Sequence, residues 1–151
     1  MLTTAPTLPT ARIEAVVSAA LAEDAPWGDL TAEVFLPAEA TARAELTARE
    51  PGVLAGIDVF AAAFRLTDPA VRVRALAADG DRFAAGDVLA TVTGPARAVV
   101  QAERVALNLL QRMSGIATLT RRFVDAVEGT GASVTDTRKT TPGLRALERH
   151  A

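Results

Sequence analysis

The sequence predicts a mixed α and β fold, in which an N-terminal α+β unit leads into the first strand and loop of a larger parallel α/β structure. Three observations predict it. Apolar and polar residues alternate over 40–50 and 71–75, as in half-buried strands. A long stretch from Pro95 repeats apolar residues at helical spacing. A short apolar run, 132–134, then leads into the polar and cationic stretch 135–145, as a buried parallel strand would.

The composition is that of about one ordinary folded domain. The chain has 151 residues, of which 50% are hydrophobic and 23% charged, and its mean hydropathy is +0.23. These values favour a buried core over disorder. The net charge of −2 and the sequence pI of about 5.4 argue against a nucleic-acid partner, because such proteins usually concentrate basic residues on one face.

Cysteine and histidine usage limits the possible chemistry. The chain has no cysteine and one histidine, His150, so it has neither a disulfide framework nor a thiolate or histidine-cluster metal site. Residues 1–9 lack the basic and apolar regions of a signal peptide, and no apolar run approaches the roughly 20 residues of a membrane span. A cytoplasmic protein without a membrane partner is expected.

The N-terminal elements are a loose arm over 1–9 and then a helix. Thr10 is expected to cap this helix, which runs from Ala11 to about Asp24 with apolar residues on one face. Residues 26–29 then turn the chain.

Three polar or aromatic residues of this turn call for an interpretation. Trp27 is the single tryptophan, and we expect it to be a packing anchor because aromatic side chains bury large areas. Asp29 and Thr31 could contact a phosphate or a metal. A capping role in the turn is favoured, since Asp and Thr cap turns far more often than they bind ligands.

The middle of the chain predicts strands and one helix. A strand over 40–50 precedes a helix from Val59 to about Leu66, which Asp58 is expected to cap. Strands at 71–75 and 88–92 follow, joined by glycine-containing turns. Two strands and such a turn are also typical of biotinyl and lipoyl carrier modules. Those modules need a lysine at a hairpin tip, and no turn before Ala132 has one.

The helix after Pro95 carries a candidate site residue. Its apolar face is broad, which predicts burial against two partners, and Arg104 lies one turn from Asn108. On pattern alone, Arg104 is either a snorkelling helix residue or one paired on the helix surface with Glu103 or Asn108. Ser114-Gly115 is expected to interrupt the helix, and a second helix continues from Ile116 to about Val127 with Leu119, Phe123 and Val127 inward.

The stretch 135–145 organises the chain. Of sixteen basic residues, Lys139 is the only lysine, and it follows Arg138 directly. A compact ammonium beside a planar guanidinium can hold a planar dicarboxylate or a phosphate. The alternative is a solvated basic turn before a helix.

Three stretches resemble quinolinate phosphoribosyltransferase, also called nicotinate-nucleotide pyrophosphorylase (carboxylating). They are the stretch 136–145, DTRKTTPGLR; the stretch 103–118, ERVALNLLQRMSGIAT; and the N-terminal residues 21–24 and 28–31. The resemblance implies an α+β N-terminal open sandwich over 1–112. It also implies the first βα unit of an α/β barrel over 113–151, with the barrel incomplete in this chain, Ser133–Asp136 as its first strand and Thr137–Thr141 as its active-site loop.

The resemblance also implies a reaction and its residues. The family transfers a phosphoribosyl group from phosphoribosyl pyrophosphate to quinolinate; CO₂ and pyrophosphate leave, and nicotinate mononucleotide remains for NAD synthesis. Arg138 and Lys139 would act as catalytic and substrate-binding groups, and Thr137 would hold the ring. Arg104 would enter the neighbouring subunit's site, which implies a homodimer, with a hexamer as the larger alternative. Mg²⁺ would bind through phosphoribosyl pyrophosphate, with ligands outside this chain.

The chain departs from the family because the later family motifs have no counterpart in it. We therefore expect a fragment that is inactive alone, since a single βα unit cannot close a barrel. A phosphoribosyltransferase-like protein of molybdenum utilisation shares a similar Thr-Arg-Lys-Thr loop and is the alternative enzyme. A carrier-like or dimerisation module is the non-enzymatic alternative.

Overall fold

The computed structural model of the protein describes residues 7–151, and most of the predicted arm over 1–9 therefore lies outside the described residues. The helices are α1 (Thr10–Asp24), α2 (Leu30–Phe35), α3 (Ile57–Thr67), α4 (Ala96–Ala126) and α5 (Arg145–His150). The strands are β1 (Thr41–Thr47), β2 (Gly52–Val53), β3 (Arg72–Ala75), β4 (Arg82–Phe83) and β5 (Val88–Pro95). No helix in this part of the chain is both long enough and apolar enough to cross a bilayer.

The strands form two antiparallel sheets. β5 lies between β1 and β3, and Val92 is the partner of both Ala44 and Val73. β2 and β4 form a small second sheet, in which Gly52 pairs with Phe83. The alternating patterns at 40–50 and 71–75, and the apolar run between turns at 88–92, therefore predicted the three main strands correctly.

The helices pack on this sheet and on one another. α4 contacts α3, α1 and three of the strands, and α3 contacts α1 and β3. One hydrophobic core results, and its largest fully buried side chains are Val17, Leu54, Val59, Val92, Met113 and Leu147. The predicted N-terminal unit of helices on a sheet is present.

The starts of α1 and α3 differ from prediction. Thr10 is the first helical residue of α1 and not its cap, because Pro9 occupies the cap position and its carbonyl accepts from the Arg12 amide at 2.8 Å. In α3 the cap residue is Gly56, with φ of 95°, and not Asp58. A β-carbon at Gly56 would lie 2.6 Å from the sulfur of Met113, so the close approach of α4 also requires glycine.

α4 is one continuous helix of 31 residues, so the predicted interruption at Ser114-Gly115 is wrong. Ser114 Oγ accepts from the Ala55 amide at 3.2 Å, and Met113 and Ala117 are buried on either side, so tertiary packing supports the helix through this point. The predicted inward positions of Leu119 and Phe123 are also wrong, because both side chains are exposed. The predicted domain boundary at 112/113 falls inside this helix.

The predicted strand at the start of the barrel is not formed. Residues 132–140 have no regular secondary structure, and 132–139 are exposed. A parallel strand is stable when neighbouring strands satisfy its backbone groups, and the described residues provide no neighbour for this segment. The run Ala132-Ser133-Val134 thus has the residue pattern of a strand but no neighbouring strand among the described residues.

Trp27 is not a packing anchor, since it is 84% exposed. α2 is held through buried Ala32 and through Arg97, whose guanidinium donates to the carbonyls of Glu33 and Leu36 at 2.7–3.0 Å. These contacts leave the other apolar side chains outward. The exposed residues Trp27, Leu30, Val34 and Phe35 are called the α2 apolar patch below.

Candidate functional site

The predicted site loop, Thr137–Thr141, is held by α5 at its last residue and at Asp136, which directly precedes it. At the first end, Arg149 Nε lies 2.8 Å from Asp136 Oδ2. At the second end, the Thr141 amide donates to Glu148 Oε2 at 3.1 Å. Two consecutive side chains of one short helix therefore define where the loop begins and ends.

Glu148 also connects the loop to the long helix. Arg112 of α4 donates from Nε to Glu148 Oε1 at 2.9 Å, and its Nη2 contacts both Glu148 and Thr141 Oγ1. The Glu148 side chain is only 11% exposed. Hydrogen bonds from Arg112 and Thr141 lower the pKa of Glu148 below its ordinary value, against the opposing effect of burial. The carboxylate is thus held in its charged form.

Between these ties the loop presents its cations outward. Thr137, Arg138 and Lys139 are exposed, and Thr137 Oγ1 accepts from the Lys139 amide at 3.2 Å. Within residues 7–151, the side chains of Arg138 and Lys139 have no ion-pair or hydrogen-bond partner. The structure therefore places three predicted site residues together, with two of their charges available to a ligand.

Arg104, the fourth predicted site residue, lies in a separate cluster. Its Nε is 3.2 Å from both oxygens of Asp24, and its Nη2 is 3.0 Å from Asp24 Oδ2 and 3.4 Å from Asp29 Oδ2. Hydrogen bonding to Asp24 raises the pKa of Arg104 above its ordinary value. The prediction that Arg104 pairs with Glu103 or Asn108 is wrong, because the Arg104 side chain extends away from α4 towards the turn after α1.

Asp29 has the capping role that the sequence favoured. Its Oδ1 accepts from the Ala32 amide at 3.0 Å at the start of α2, and the residue is 9% exposed. This hydrogen bond lowers the pKa of Asp29, and the charge of Arg104 acts in the same direction against desolvation. Asp29 therefore stabilises the start of α2 and the Arg104 guanidinium together.

The structure does not bring Arg104 and the loop together within one chain. Arg104 pairs with Asp24 and Asp29, whereas the loop is tied to Arg112 and α5. A cavity of about 1060 Å³ between β1, α3 and α4 is lined by none of the four predicted site residues. Across residues 7–151, no group of three or more His, Asp or Glu side chains is arranged to hold a metal ion.

The sequence reasoning missed Arg112, Glu148 and the pairing of Asp136 with Arg149. Arg112 lies within the motif 103–118, and Asp136 opens the motif 136–145, so motif membership was the one available signal. Arg112 and Glu148 are 36 residues apart in sequence, and neither helical nor strand periodicity predicts a contact over that separation.

Comparison with known proteins gives two family matches in chain order. Residues 29–114 match the model described as "Quinolinate phosphoribosyl transferase, N-terminal domain". Residues 116–151 match the model described as "Quinolinate phosphoribosyl transferase, C-terminal domain". The second match includes the whole site loop and α5.

Individual relatives agree with these matches. The nicotinate-nucleotide pyrophosphorylase (carboxylating) of Mycobacterium leprae is 46% identical over 138 residues, which cover 87% of this chain and 48% of that protein. A chloroplastic enzyme of the same name from Oryza sativa subsp. japonica is 41% identical over 147 residues, covering 97% of this chain and 39% of that protein. The chain thus spans about half the length of the curated relatives it matches, or less.

A solved structure supports the fold. The crystal structure of NadC from Streptococcus pyogenes superposes with a TM-score of 0.92 at 39% identity, over 96% of this chain and 52% of that one. The predicted fold class, an N-terminal α+β sandwich followed by the start of an α/β barrel, is confirmed by this similarity.

Proposed function

Because the chain belongs to the quinolinate phosphoribosyltransferase family, we propose that it serves phosphoribosyl transfer from phosphoribosyl pyrophosphate to quinolinate. In that reaction a bond forms between the quinolinate nitrogen and the ribose, pyrophosphate leaves, and a carboxylate is lost as CO₂. The product is nicotinate mononucleotide, a precursor of NAD. The contribution of residues 7–151 to this reaction is to hold the substrate.

One observation carries the proposal, namely the pair of exposed cations at the middle of a loop that is tied at both ends. Quinolinate is a planar dianion. The guanidinium of Arg138 can hold one carboxylate with two parallel hydrogen bonds, and the ammonium of Lys139 can place a point charge near the other. Neither side chain has to leave a protein partner in residues 7–151 to do so.

Two cations also provide selection against nicotinate, which has one carboxylate. If nicotinate occupied the loop, one of the two cations would be desolvated without a partner. The hydroxyl of Thr137 accepts from the Lys139 amide and so stabilises the local backbone that carries both cations.

We further propose that Arg104 acts in the site of a neighbouring subunit of a homodimer, which can assemble further into a hexamer. Two features support this. Arg104 is about half exposed and its Nη1 donates to no acceptor in residues 7–151, so it can still bind an anion. The α2 apolar patch adjoins the turn after α1 and is exposed in the single chain, as expected of a surface that a second subunit covers.

Magnesium and location are further parts of the proposal. Mg²⁺ would enter with phosphoribosyl pyrophosphate and neutralise the charge of the leaving pyrophosphate. The cytoplasmic location expected from the sequence stays a prediction, because the matching rice relative is named chloroplastic.

The alternative functions receive less support. The matching models and relatives carry the name of the quinolinate enzyme, and not that of the molybdenum-associated protein. A carrier module would need its modified lysine at a hairpin tip, whereas Lys139 lies in the loop before α5.

The test uses a chimera in which this chain replaces the matching part of the Mycobacterium leprae relative. We expect release of labelled CO₂ from carboxyl-labelled quinolinate that requires phosphoribosyl pyrophosphate and Mg²⁺. Lys139→Ala should lower the rate by at least roughly 100-fold, the usual effect of losing a preorganised charge contact. Arg43→Gln, which removes an exposed ion pair far from the loop in sequence, is the control and should leave the rate unchanged. A Lys139→Ala chimera with the full rate would refute the role of Lys139.

A further inference from the structure

The last three residues of α5 each form a polar side-chain contact with a different part of the protein. Glu148 pairs with Arg112 of α4, and Arg149 pairs with Asp136 at the start of the site loop. His150 Nε2 lies 2.9 Å from Asp79 Oδ2. One short helix therefore contacts the loop and two separate segments of the N-terminal unit.

Two of these contacts end on residues that adjoin the core. Arg112 precedes Met113, one of the most deeply buried side chains of α4. Asp79 accepts through its other oxygen from the amide of Ile57, the first residue of α3, at 3.0 Å. Leu147 of α5 is itself only 2% exposed. α5 is thus fixed to α3 and α4 by polar contacts around one buried apolar side chain.

The loop, in contrast, has few contacts of its own. Between Asp136 and Thr141, the loop is held within residues 7–151 by one hydrogen bond, which the Lys139 amide donates to Thr137 Oγ1. Four residues between two fixed ends can adopt far fewer conformations than the same residues with one end released. The positions of the two cations thus depend on α5.

We propose that Glu148 and Arg149 are positioning residues for substrate binding, which fix residues 137–140 so that Arg138 and Lys139 meet one dicarboxylate together. His150 contributes by fixing α5 to Asp79. This inference rests on the proposed function for its ligand. The positioning itself is a property of the ligand-free chain and can be tested separately.

The two residues should not contribute equally. The Asp136–Arg149 pair is about half exposed on both sides, and such pairs contribute little. Glu148 is largely buried and accepts charge-assisted hydrogen bonds from Arg112 as well as the Thr141 amide. Loss of Glu148 should therefore release the loop more than loss of Arg149.

The first experiment measures amide hydrogen exchange of residues 137–141 in the ligand-free chain. Glu148→Ala should accelerate exchange in the loop about tenfold, and Arg149→Ala by about threefold, as expected for a charge-assisted and an exposed contact respectively. Arg65→Ala, which removes the exposed pair with Glu14, is the matched control and should have no effect on the loop. Unchanged protection of the α4 amides would show that the variants are folded.

The second experiment measures the affinity for quinolinate in the same variants. Glu148→Ala should weaken binding about tenfold, and the double change Asp136→Arg with Arg149→Asp should restore the affinity that Arg149→Ala loses. Loop exchange that does not change in Glu148→Ala would overturn the proposal, and so would faster exchange with unchanged quinolinate affinity. If the wild-type chain binds no quinolinate, the proposed function fails, while the exchange data still decide whether α5 fixes the loop.

Discussion

Replacement of Asp29 tests how one carboxylate stabilises both α2 and Arg104. Asp29→Ala removes the cap of α2, where Oδ1 accepts from the Ala32 amide at 3.0 Å, and also removes the weaker contact to Arg104 at 3.4 Å. Asp29→Asn keeps an acceptor for the amide and removes only the negative charge. The two variants therefore separate the cap from the ion pair.

The expected cost follows from the geometry. Loss of a helix cap costs about 1 kcal/mol. Loss of the ion pair adds less than about 0.5 kcal/mol, because Arg104 is half exposed and keeps its contacts to Asp24. Asp29→Ala should thus lower the free energy of unfolding by about 1.5 kcal/mol, and Asp29→Asn by about 0.5 kcal/mol or less, since Asn caps helices as well as Asp does.

Urea unfolding followed by far-UV circular dichroism at neutral pH measures both values, and exchange of the Ala32 amide reports on the cap directly. We expect that amide to exchange faster in Asp29→Ala than in Asp29→Asn. Equal destabilisation by the two variants would refute the reasoning, because it would mean that the charge facing Arg104, and not the cap, supplies the stability.

Two further predictions concern the core at Gly56 and the carboxylate of Glu148. Gly56→Ala should destabilise the protein by about 2–4 kcal/mol, because a β-carbon would meet the Met113 sulfur in addition to the strain of positive φ. Gly86 has a similar φ but open space around it, so Gly86→Ala should cost only about 1–2 kcal/mol. Equal losses of unfolding free energy for the two variants in urea would contradict the contact with Met113. Glu148 has a lowered pKa in the folded state. Its contribution to stability is therefore complete above its ordinary pKa of 4.5 and is lost as the pH falls through its pKa in the folded protein. A carboxyl NMR titration of Glu148 with a midpoint above 4.5 would contradict this prediction.

The sheet could be predicted because its signal is local. In β1 and β3 apolar and polar residues alternate, and in β5 an apolar run lies between turns, so both signals are visible in the sequence itself. The continuity of α4 could not be predicted in the same way. Ser114-Gly115 resembles a break locally, and only the packing of Met113 and the hydrogen bonds between Ser114 and Ala55 support the helix there.

The candidate site shows the same division. The loop 137–141 and its two cations were recognisable because they are contiguous in sequence. The carboxylates that pair with Arg104 and Arg112 were not, because Asp24 is 80 residues from Arg104 and Glu148 is 36 residues from Arg112. The strand predicted before the loop failed for a related reason, since a strand requires partners that its own sequence cannot specify.

The unbroken path of α4 sets the spacing between the two arginine clusters. Arg104 and Arg112 are eight residues apart on one helix, which places them about 12 Å apart along its axis and turns their directions by about 80°. One faces the turn after α1, and the other faces α5 and the loop. The position of the region matched by the C-terminal family model is thus set by a helix that begins in the region matched by the N-terminal model. A bend between residues 104 and 112 would move the two arginine clusters relative to each other.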